Sequence, residues 1–320
     1  MLRWTDHHLT SDALRPCVVT LGNFDGVHRG HRAVINSALE VGRRLGLPTV
    51  AVTFEPHPIA VLRPEQAPVL ITPGRVRDGL LAETGIDGLL VLEFTEDFAR
   101  QSPEDFVREV FVRGLQARAV VVGMDTRFGY RNSGDVGVLQ DLGERFGFEV
   151  YALDDVGDGE RFSSTIVRRL LTDGDVSEAA RILGRPHRVL GSVVHGNHRG
   201  RGLGYPTANL SADSLGYVPA EGVYAGWLTR VDLPEGAVDR TLPCAISVGT
   251  NPTFDTQDRR TVEDYCLDRD DLDLYDETVM VEFVAHIRPT LRFESIDDLL
   301  SAMAKDVEEC RELLSPTTPA

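Results

Sequence analysis

Five short, uninterrupted apolar runs constrain the fold of this chain more than any other feature of its sequence. Unbroken rather than alternating hydrophobicity indicates strands that are buried on both faces, as in a parallel sheet covered by helices. Between the first two runs, Val34, Ala38, Val41 and Leu45 follow a helical spacing. The pattern predicts β-α-β alternation, and hence an α/β domain with a parallel sheet. The runs are CVVTLG (17–22), TVAVTF (49–54), LLVLEF (89–94), AVVVG (119–123) and FEVYAL (148–153).

The pattern changes in the second half of the chain. A helical stretch ends at Gly184, before Pro186, and we place the boundary between two domains there, at 1–184 and 185–320. Two-fold alternation with Gly, Pro and Asn/Asp turns then predicts an antiparallel barrel or sandwich. A last helix begins at Ser295, which can cap it, with Asp298 at the third helical position. Its predicted apolar stripe is Ile296, Leu299, Leu300, Met303 and Val307.

Composition excludes several classes of function. With 33 Lys+Arg against 50 Asp+Glu, the 320-residue chain has a formal net charge of −17, which opposes binding of nucleic acid. The N-terminal residues lack the apolar core of a secretory signal, and no run approaches the ~20 apolar residues of a membrane span. We therefore expect a cytoplasmic protein without membrane or nucleic-acid partners. Four scattered cysteines suggest reduced structural thiols rather than a zinc site or a disulfide framework.

The string GNFDGVHRGH (22–31) joins the first predicted strand to a helix. A strand that ends in glycine and feeds a helix presents free backbone N–H groups and the positive end of the helix dipole, and both attract phosphate. His28 and His31 lie three residues apart, so they share one helix face and can stabilise charge on a phosphorus and its leaving group. The alternative is a capped helix with two histidines in ordinary hydrogen bonds.

Further along the chain, SSTIVR (163–168) follows the fifth apolar run. Ser164 and Thr165 offer hydroxyls at a helix start, and Arg168 offers a planar fork one turn later, which together suit phosphate oxygens. A plain helix cap with a surface arginine is the alternative. The motif falls at the carboxyl end of a predicted strand, where open α/β sheets bind ligands.

A second set of motifs begins with HGNHRGRGLGYPTANL (195–210). Its glycines and the arginines Arg199 and Arg201 can wrap a polyphosphate. Thr207 and Asn209 are oxygen ligands that suit Mg²⁺, and in an extended strand they lie on one face. His195 and His198 have no third ligand of a suitable type beside them, so a solvated loop is the expected interpretation there.

These motifs resemble those of one family. GNFDGVHRGH is similar to the HxGH motif of nucleotidyltransferases, and most closely to the FMN adenylyltransferase half of bacterial bifunctional riboflavin kinase/FAD synthetases. The stretch 195–210 resembles the GRxLGFPTAN motif of riboflavin kinases. That second resemblance continues through GVYAGWL (222–228), SVGTNPTF (247–254), TVEDYCLD (261–268) and residues 274–300, so that together the two cover nearly the whole chain.

The resemblance implies a Rossmann-like nucleotidyltransferase domain followed by an antiparallel riboflavin kinase barrel with a terminal helix. It implies two activities, phosphorylation of riboflavin to FMN and adenylylation of FMN to FAD, with ATP as co-substrate and Mg²⁺ as cofactor. The implied catalytic residues are His28, His31, Arg168 and Glu263, the last as the base on the ribityl hydroxyl. The implied binding residues are Gly22, Asn23, Phe24, Asp25, Gly30, Asp125, Phe128, Ser164, Thr165, Arg201, Gly204, Thr207 and Asn209, of which Thr207 and Asn209 also hold the metal.

Some alternatives and departures remain at this level. Phe128 either flanks the isoalloxazine ring or fills the core, and Glu263 is either the base or a surface carboxylate. Thr126 stands where the family usually has an aromatic residue, Arg269 where it commonly has phenylalanine, and Asp276 where it has glycine. Asp tolerates a positive φ better than most residues, so the turn at 276 can survive. The rival functions are another nucleotidyltransferase, against which the whole second domain argues, and a noncatalytic flavin or nucleotide sensor.

Overall fold

The structure is a computed structural model that describes residues 1–154, 156–158, 161–196, 204–250 and 260–315. The chain forms two compact units. The first comprises Met1–Leu70 with Arg77–Ser163, and the second comprises Ile71–Val76 with Ser164–Ala320. The two helices that precede residue 184 thus belong by their contacts to the second unit, whereas the motif-based domains divide the chain at 184.

The first unit contains a six-stranded sheet in the order β1-β4-β3-β2-β5-β6, in which every neighbouring pair is parallel. The strands are β1 (Leu2–Trp4), β2 (Val18–Leu21), β3 (Thr49–Glu55), β4 (Gly88–Glu93), β5 (Ala119–Gly123) and β6 (Glu149–Leu153). The helices are α1 (Arg29–Leu45), α2 (Pro58–Leu62), α3 (Arg75–Ala82, which begins in the second unit), α4 (Pro103–Phe106, continued by a π-helix over Val107–Gly114) and α5 (Val136–Phe146).

All five predicted strands of this sheet are confirmed, and both faces of the sheet are covered. Val19 and Leu21 of β2 enter one apolar cluster with the α4 region and α5, whereas Val18 enters another with Ala38 and Val41 of α1. Consecutive strand residues point to opposite faces, so this division is what an uninterrupted apolar run requires. β1 was not predicted, because three residues carry no periodic signal.

The position of β2 in the sheet determines where a ligand can bind. β2 lies between β3 and β5, so the chain leaves it in one direction toward β3 and β4 and later returns to its other side. This is the switch point of an open parallel sheet, and the crevice outside the carboxyl ends of the strands is the usual binding place there. The GNFDGVHRGH string begins directly after β2, at that point.

The second unit is built on a closed barrel in the order β10-β11-β8-β7-β12-β9, which decides between the barrel and the sandwich that the sequence allowed. Its strands are β7 (His187–Val194), β8 (Ala208–Leu210), β9 (Gly222–Arg230), β10 (Thr241–Thr250), β11 (Arg260–Cys266) and β12 (Thr278–Arg288). Its helices are α6 (Ser164–Asp173), α7 (Val176–Leu183) and α8 (Ile296–Leu314). Each pair of neighbouring strands in this barrel order is antiparallel.

The terminal helix confirms its predicted cap and corrects its predicted stripe. Ser295 accepts the backbone N–H of Asp298, as expected. Ile296, however, is 64% exposed, and the buried positions lie further along the helix. The later turns of α8 pack against the barrel, where Val307, Cys310 and Leu314 join one apolar cluster. Among the described helices, none is both long and apolar enough to cross a bilayer.

Candidate active sites

The corner between β2 and α1 is a fixed loop with an unusual backbone. Phe24, Gly26 and Val27 have φ values of 51°, 84° and 42°, in the left-handed region that non-glycine residues rarely adopt. The ring of Phe24 is buried, and it lies so close to Gly22 that a Cβ there would be 3.1 Å from it. The Thr53 hydroxyl donates to the carbonyl of Asn23 at 3.2 Å. Strain of this kind persists only where the surroundings impose it, and such places cluster at functional sites.

The two histidines of the loop are in contact. His28 caps α1, and its Nδ1 accepts the backbone N–H of His31 at 3.3 Å. The two rings stack with centroids 3.7 Å apart and planes inclined by 19°. Since Nδ1 of His28 accepts a hydrogen bond, its neutral form carries the proton on Nε2. The sequence-level expectation that His28 and His31 lie together is confirmed by this geometry.

The electrostatic surroundings of His31 favour its neutral form. The pKa of His31 is well below its usual value, first because of burial and then because of His28 and the positive charge of Arg161. Arg161 also forms an ion pair with Asp125. We did not select Arg161 from the sequence, since only its position just before SSTIVR distinguishes it from other arginines. The structure therefore adds Arg161 to the charged groups around this site.

Phe128 and the SSTIVR residues are further predictions of the first motif set. Phe128 is buried in the apolar core, with its ring centroid 5.9 Å from that of Phe106. A Cβ on Gly134 would approach the Phe128 ring to 2.9 Å. This packing favours the core-filling alternative for Phe128 over a flavin contact. Ser164, Thr165 and Arg168 lie in the first two turns of α6, within the second unit, where a helix start was expected.

Three predicted residues of the second motif set, Thr207, Asn209 and Glu263, lie next to one another on the barrel wall. Asn209 of β8 and Glu263 of β11 are direct partners in the antiparallel register, so their side chains lie on the same face of the sheet. Thr207 comes two residues before Asn209. The Asn209 amide nitrogen donates to the carbonyl and the hydroxyl of Thr207 at 3.2 and 3.3 Å. A Cβ on Gly196 would be 2.6 Å from that amide, so only glycine fits beside it.

Next to these residues lies a cavity of about 490 Å³. Its wall includes Thr207 and Asn209 and also the acidic segment 269–275. Arg269, which stands where the family has an aromatic residue, is held by Asp239 at 2.6 Å and Asp271 at 2.7 Å. Asp276 adopts a φ of 63°, which confirms that aspartate can make the turn in place of glycine.

Asp264 is a wall residue of the same cavity that the sequence did not single out. It is fully buried, and neither carboxylate oxygen has a hydrogen-bond partner among the described residues. The pKa of its carboxyl is raised well above the usual value, mainly by burial and then by Cys266 and Glu263. Because consecutive side chains of a strand point to opposite faces, the sequence could have placed Asp264 on the face away from Glu263, toward the inside of the barrel.

Some predictions fall where the structure gives no description. Arg199, Arg201 and His198 lie outside the described residues, as does much of SVGTNPTF. Gly204, the first described residue after that gap, has a φ of 86°. The predicted contact of the arginines with a polyphosphate therefore stays a prediction.

Comparison with known proteins places both halves of the chain. Residues 10–166 match the family model described as FAD synthetase, and residues 183–314 match that described as riboflavin kinase. The chain is 36% identical over 98% of its length to the bifunctional riboflavin kinase/FMN adenylyltransferase of Escherichia coli, covering 98% of that protein. It is 38% identical over 95% of its length to the protein of the same description from Pseudomonas fluorescens, covering 94% of it.

One solved structure resembles the chain over nearly its whole length. It is titled a macrolide-efflux protein from Streptococcus pneumoniae, with a TM-score of 0.85 and 32% sequence identity, and the match covers 97% of this chain and 98% of the other. The likeness extends through both the parallel sheet and the barrel. Given these matches, the chain belongs to the family of bifunctional riboflavin kinase/FMN adenylyltransferases.

Proposed function

We propose that this chain makes FAD from riboflavin in two ATP-dependent steps. In the first, the ribityl 5′-hydroxyl of riboflavin attacks the γ-phosphorus of ATP, giving FMN and ADP. In the second, a phosphate oxygen of FMN attacks the α-phosphorus of another ATP, giving FAD and pyrophosphate. Family membership over both halves of the chain supports both activities. The barrel would perform the first step and the nucleotidyltransferase half the second.

For adenylyl transfer, we assign the main role to the stacked pair His28 and His31. A neutral His28 with its proton on Nε2 is a hydrogen-bond donor, and the adjacent start of α1 supplies backbone N–H groups and a positive dipole end. Donors fixed before the reaction are well suited to charge that grows on phosphate oxygens in the transition state. Arg161, which also pairs with Asp125, would supply positive charge near His31. The role of Arg168 as a phosphate clamp is part of this proposal.

For the kinase step, we assign Glu263 as the base that accepts the proton of the ribityl hydroxyl. Phosphoryl transfer needs mainly alignment and charge neutralisation, and one carboxylate suffices for that proton. The observation that carries this assignment is the direct pairing of Glu263 with Asn209 across β11 and β8. It puts the carboxylate beside the two residues that are expected to hold the nucleotide.

The residues present fit Mg²⁺. Thr207 and Asn209 offer oxygen ligands, which hard divalent cations prefer. Because Nδ2 of Asn209 donates to Thr207, its Oδ1 is the atom oriented to bind a cation. When bound, the ion would neutralise phosphate charge during transfer. A cytoplasmic location stays a prediction from the sequence.

The two assignments can be separated with two variants of the full chain. The unmodified protein is incubated with riboflavin, ATP and Mg²⁺, and FMN and FAD are separated by chromatography. We expect both products. Glu263→Gln should lower FMN formation by ~10² to 10⁴, the range for loss of a general base, and should still convert supplied FMN to FAD. His28→Ala combined with His31→Ala should abolish FAD formation and leave riboflavin phosphorylation intact.

Each contrary outcome has a definite meaning. FMN without FAD from the unmodified chain would contradict the proposed adenylyltransferase activity. No product at all would favour a noncatalytic binding protein. If a folded variant lost both activities together, the division of labour between the two motif sets would be wrong. Circular dichroism of each variant shows whether the fold is retained.

A further inference from the structure

Two cysteines face each other across the barrel wall. Cys244 of β10 and Cys266 of β11 are direct register partners, and their sulfur atoms lie 3.5 Å apart. The N–H of Leu267 donates to the carbonyl of Pro243 at 2.8 Å, which makes 244 and 266 a pair without hydrogen bonds between its own backbone groups. In such pairs the Cα atoms are about 4.5 Å apart and the side chains come closest. That spacing lies within the range that a disulfide bridges.

The two thiols differ in their surroundings. The pKa of Cys266 is lowered, first by the hydrogen bond from the Cys244 thiol and also by Arg269 and Arg230. Burial raises the pKa of Cys244. Thiolate character determines which cysteine reacts first, so Cys266 is the nucleophile and Cys244 its partner. Cys266 also lines the 490 Å³ cavity, which gives a small oxidant a route to it.

The other two cysteines of the chain provide a comparison. Burial raises the pKa of both Cys17 and Cys310 to about 12. Cys17 donates to the carbonyl of Leu115 at 3.3 Å, and Cys310 donates to that of Tyr224 at 3.8 Å. Each is thus a buried thiol bonded to backbone, which is the ordinary structural role. Cys244 also has a backbone contact, to the carbonyl of Leu242 at 3.5 Å, but it differs from Cys17 and Cys310 in lying equally close to a second sulfur, that of Cys266.

We propose that Cys244 and Cys266 form an oxidisable dithiol that hydrogen peroxide converts to a disulfide within the barrel wall. The Cys266 thiolate attacks one peroxide oxygen, the O–O bond breaks, and the leaving hydroxide takes a proton to become water. The Cys244 sulfur then attacks the Cys266 sulfenic acid, the S–S bond forms, and the S–O bond breaks to release a second water. Two thiols lose two electrons and two protons, and one peroxide becomes two waters.

The disulfide has a structural consequence for the barrel. The sulfur separation must fall from 3.5 Å to about 2.05 Å, and a Cα spacing of about 4.5 Å lies at the short end of the disulfide range, so the bridge strains β10 against β11 at this end and shifts Cys266 relative to the cavity. Glu263 lies on β11, three residues before Cys266. Oxidation should therefore slow riboflavin phosphorylation and leave adenylylation of supplied FMN unchanged. This consequence for activity rests on the proposed function, whereas the disulfide itself does not.

The disulfide is tested on the unmodified chain by mass spectrometry. The protein is treated with hydrogen peroxide, denatured, alkylated without reduction and digested. We expect the peptides that carry Cys244 and Cys266 to appear linked, and Cys17 and Cys310 to appear alkylated as internal controls. Equal alkylation of all four cysteines would overturn the proposal. So would oxidation of Cys266 to sulfinic acid with no linked peptide.

Variants and activity give an independent readout. Cys244→Ala removes the second thiol, so the Cys266 sulfenic acid should persist and react with dimedone, whereas Cys17→Ala should behave like the unmodified chain. After oxidation, FMN formation should fall about tenfold, the scale of a displaced catalytic group, and should return on adding dithiothreitol. A linked peptide with full kinase activity would overturn the coupling. A reduced protein without kinase activity would instead contradict the proposed function.

Discussion

Gly30 shows how a single missing side chain shapes the histidine site. A Cβ at this position would lie 3.1 Å from two atoms of the His28 ring and 3.5 Å from the carbonyl of Phe162. The ring cannot retreat easily, because it is held by the bond from the His31 N–H and by stacking on the His31 ring. The glycine between the two histidines is therefore required by packing.

Gly30→Ala should slow FAD formation from FMN by about 10- to 100-fold, since small displacements of catalytic groups cost that much. Riboflavin phosphorylation should be unchanged. Gly79→Ala is the matched control, because a Cβ at that helical position meets nothing within 4 Å. The measurement is the rate of each half-reaction by chromatography. Wild-type FAD formation by Gly30→Ala would show that the His28 ring can move without loss.

His187, in the barrel, makes stability depend on pH. It is fully buried, its Nε2 donates to the carbonyl of Tyr217 at 2.6 Å, and Nδ1 has no partner among the described residues. Burial lowers the pKa of this imidazole from 6.5 to about 4. Between these pH values the unfolded chain binds a proton that the folded chain does not. The stabilising contribution of His187 is therefore complete above pH 6.5 and is lost as the pH falls toward 4.

We expect this loss to reach about 3 kcal/mol at pH 4, from 1.36 kcal/mol per pKa unit. His187→Gln keeps a donor for Tyr217 and removes the titration. Its unfolding midpoint in urea should therefore fall less between pH 7 and pH 4 than that of the unmodified chain. Parallel curves for the two proteins would place the pH dependence elsewhere.

Individual residues mark the limit of what the sequence could tell. The turn at Asp276 was predictable, since aspartate tolerates the left-handed region. The positive φ values of Phe24 and Val27 were not, because neither residue type favours them and only the packing around the loop imposes them. The burial of Asp264 was not predicted, because the resemblance implies a role for its neighbour Glu263 and none for Asp264.

At the scale of elements, the sequence predicted the long, strongly patterned segments and missed the short strand β1. The five apolar runs became β2 to β6, and the helical spacing of Val34, Ala38, Val41 and Leu45 became part of α1. β1 has three residues, too few for a period of two to be seen. The stripe of α8 was misplaced at its start because sequence spacing shows a face of the helix, and not how far along it the barrel reaches.

β11 gives a prediction about stability. The raised pKa of Asp264 means that the folded chain binds more protons than the unfolded chain above pH 3.8, so its contribution to stability falls as the pH rises. Asp264→Leu removes a buried polar group without partners and should stabilise the barrel by about 1–3 kcal/mol at pH 7. The gain should be smaller at pH 4. Guanidinium unfolding at both pH values measures it, with Asp264→Asn as a polar control of the same size.

A destabilised Asp264→Leu variant at pH 7 would contradict this interpretation. It would mean that the carboxyl makes a favourable interaction in the folded protein. The same unfolding curves distinguish this outcome, because a lost interaction lowers the midpoint, whereas relief of a buried charge raises it.

At the scale of the whole molecule, the motifs showed which half of the chain belongs to which activity. They did not show where the two compact units begin and end. The HxGH and PTAN motifs identified each half, and the comparisons confirmed the family. Along the chain, however, the division into compact units falls between Ser163 and Ser164, and the second unit also includes Ile71–Val76. Such an excursion of the chain leaves no trace in local pattern, because it depends on contacts between distant residues.

Two separate sites predict complementation between variants. A mixture of Glu263→Gln with the double variant His28→Ala, His31→Ala should form FAD from riboflavin, although each alone should not. FMN released by one protein would be the substrate of the other. The measurement is FAD yield against mixing ratio. No FAD from the mixture, with each variant keeping its own half-reaction, would show that FMN does not leave the chain that made it.

One strand of the closed barrel, β8, is much shorter than the others. β8 has three residues, with only two register partners on each side, and it carries Asn209 and follows Thr207. A β-barrel opens most readily at its shortest strand, because the fewest hydrogen bonds between strands must break there. A nucleotide bound to Asn209 and Thr207 would hold in place the strand that closes the barrel. The barrel would then be stabilised at β8 when nucleotide binds and destabilised there when it leaves, once in each turnover.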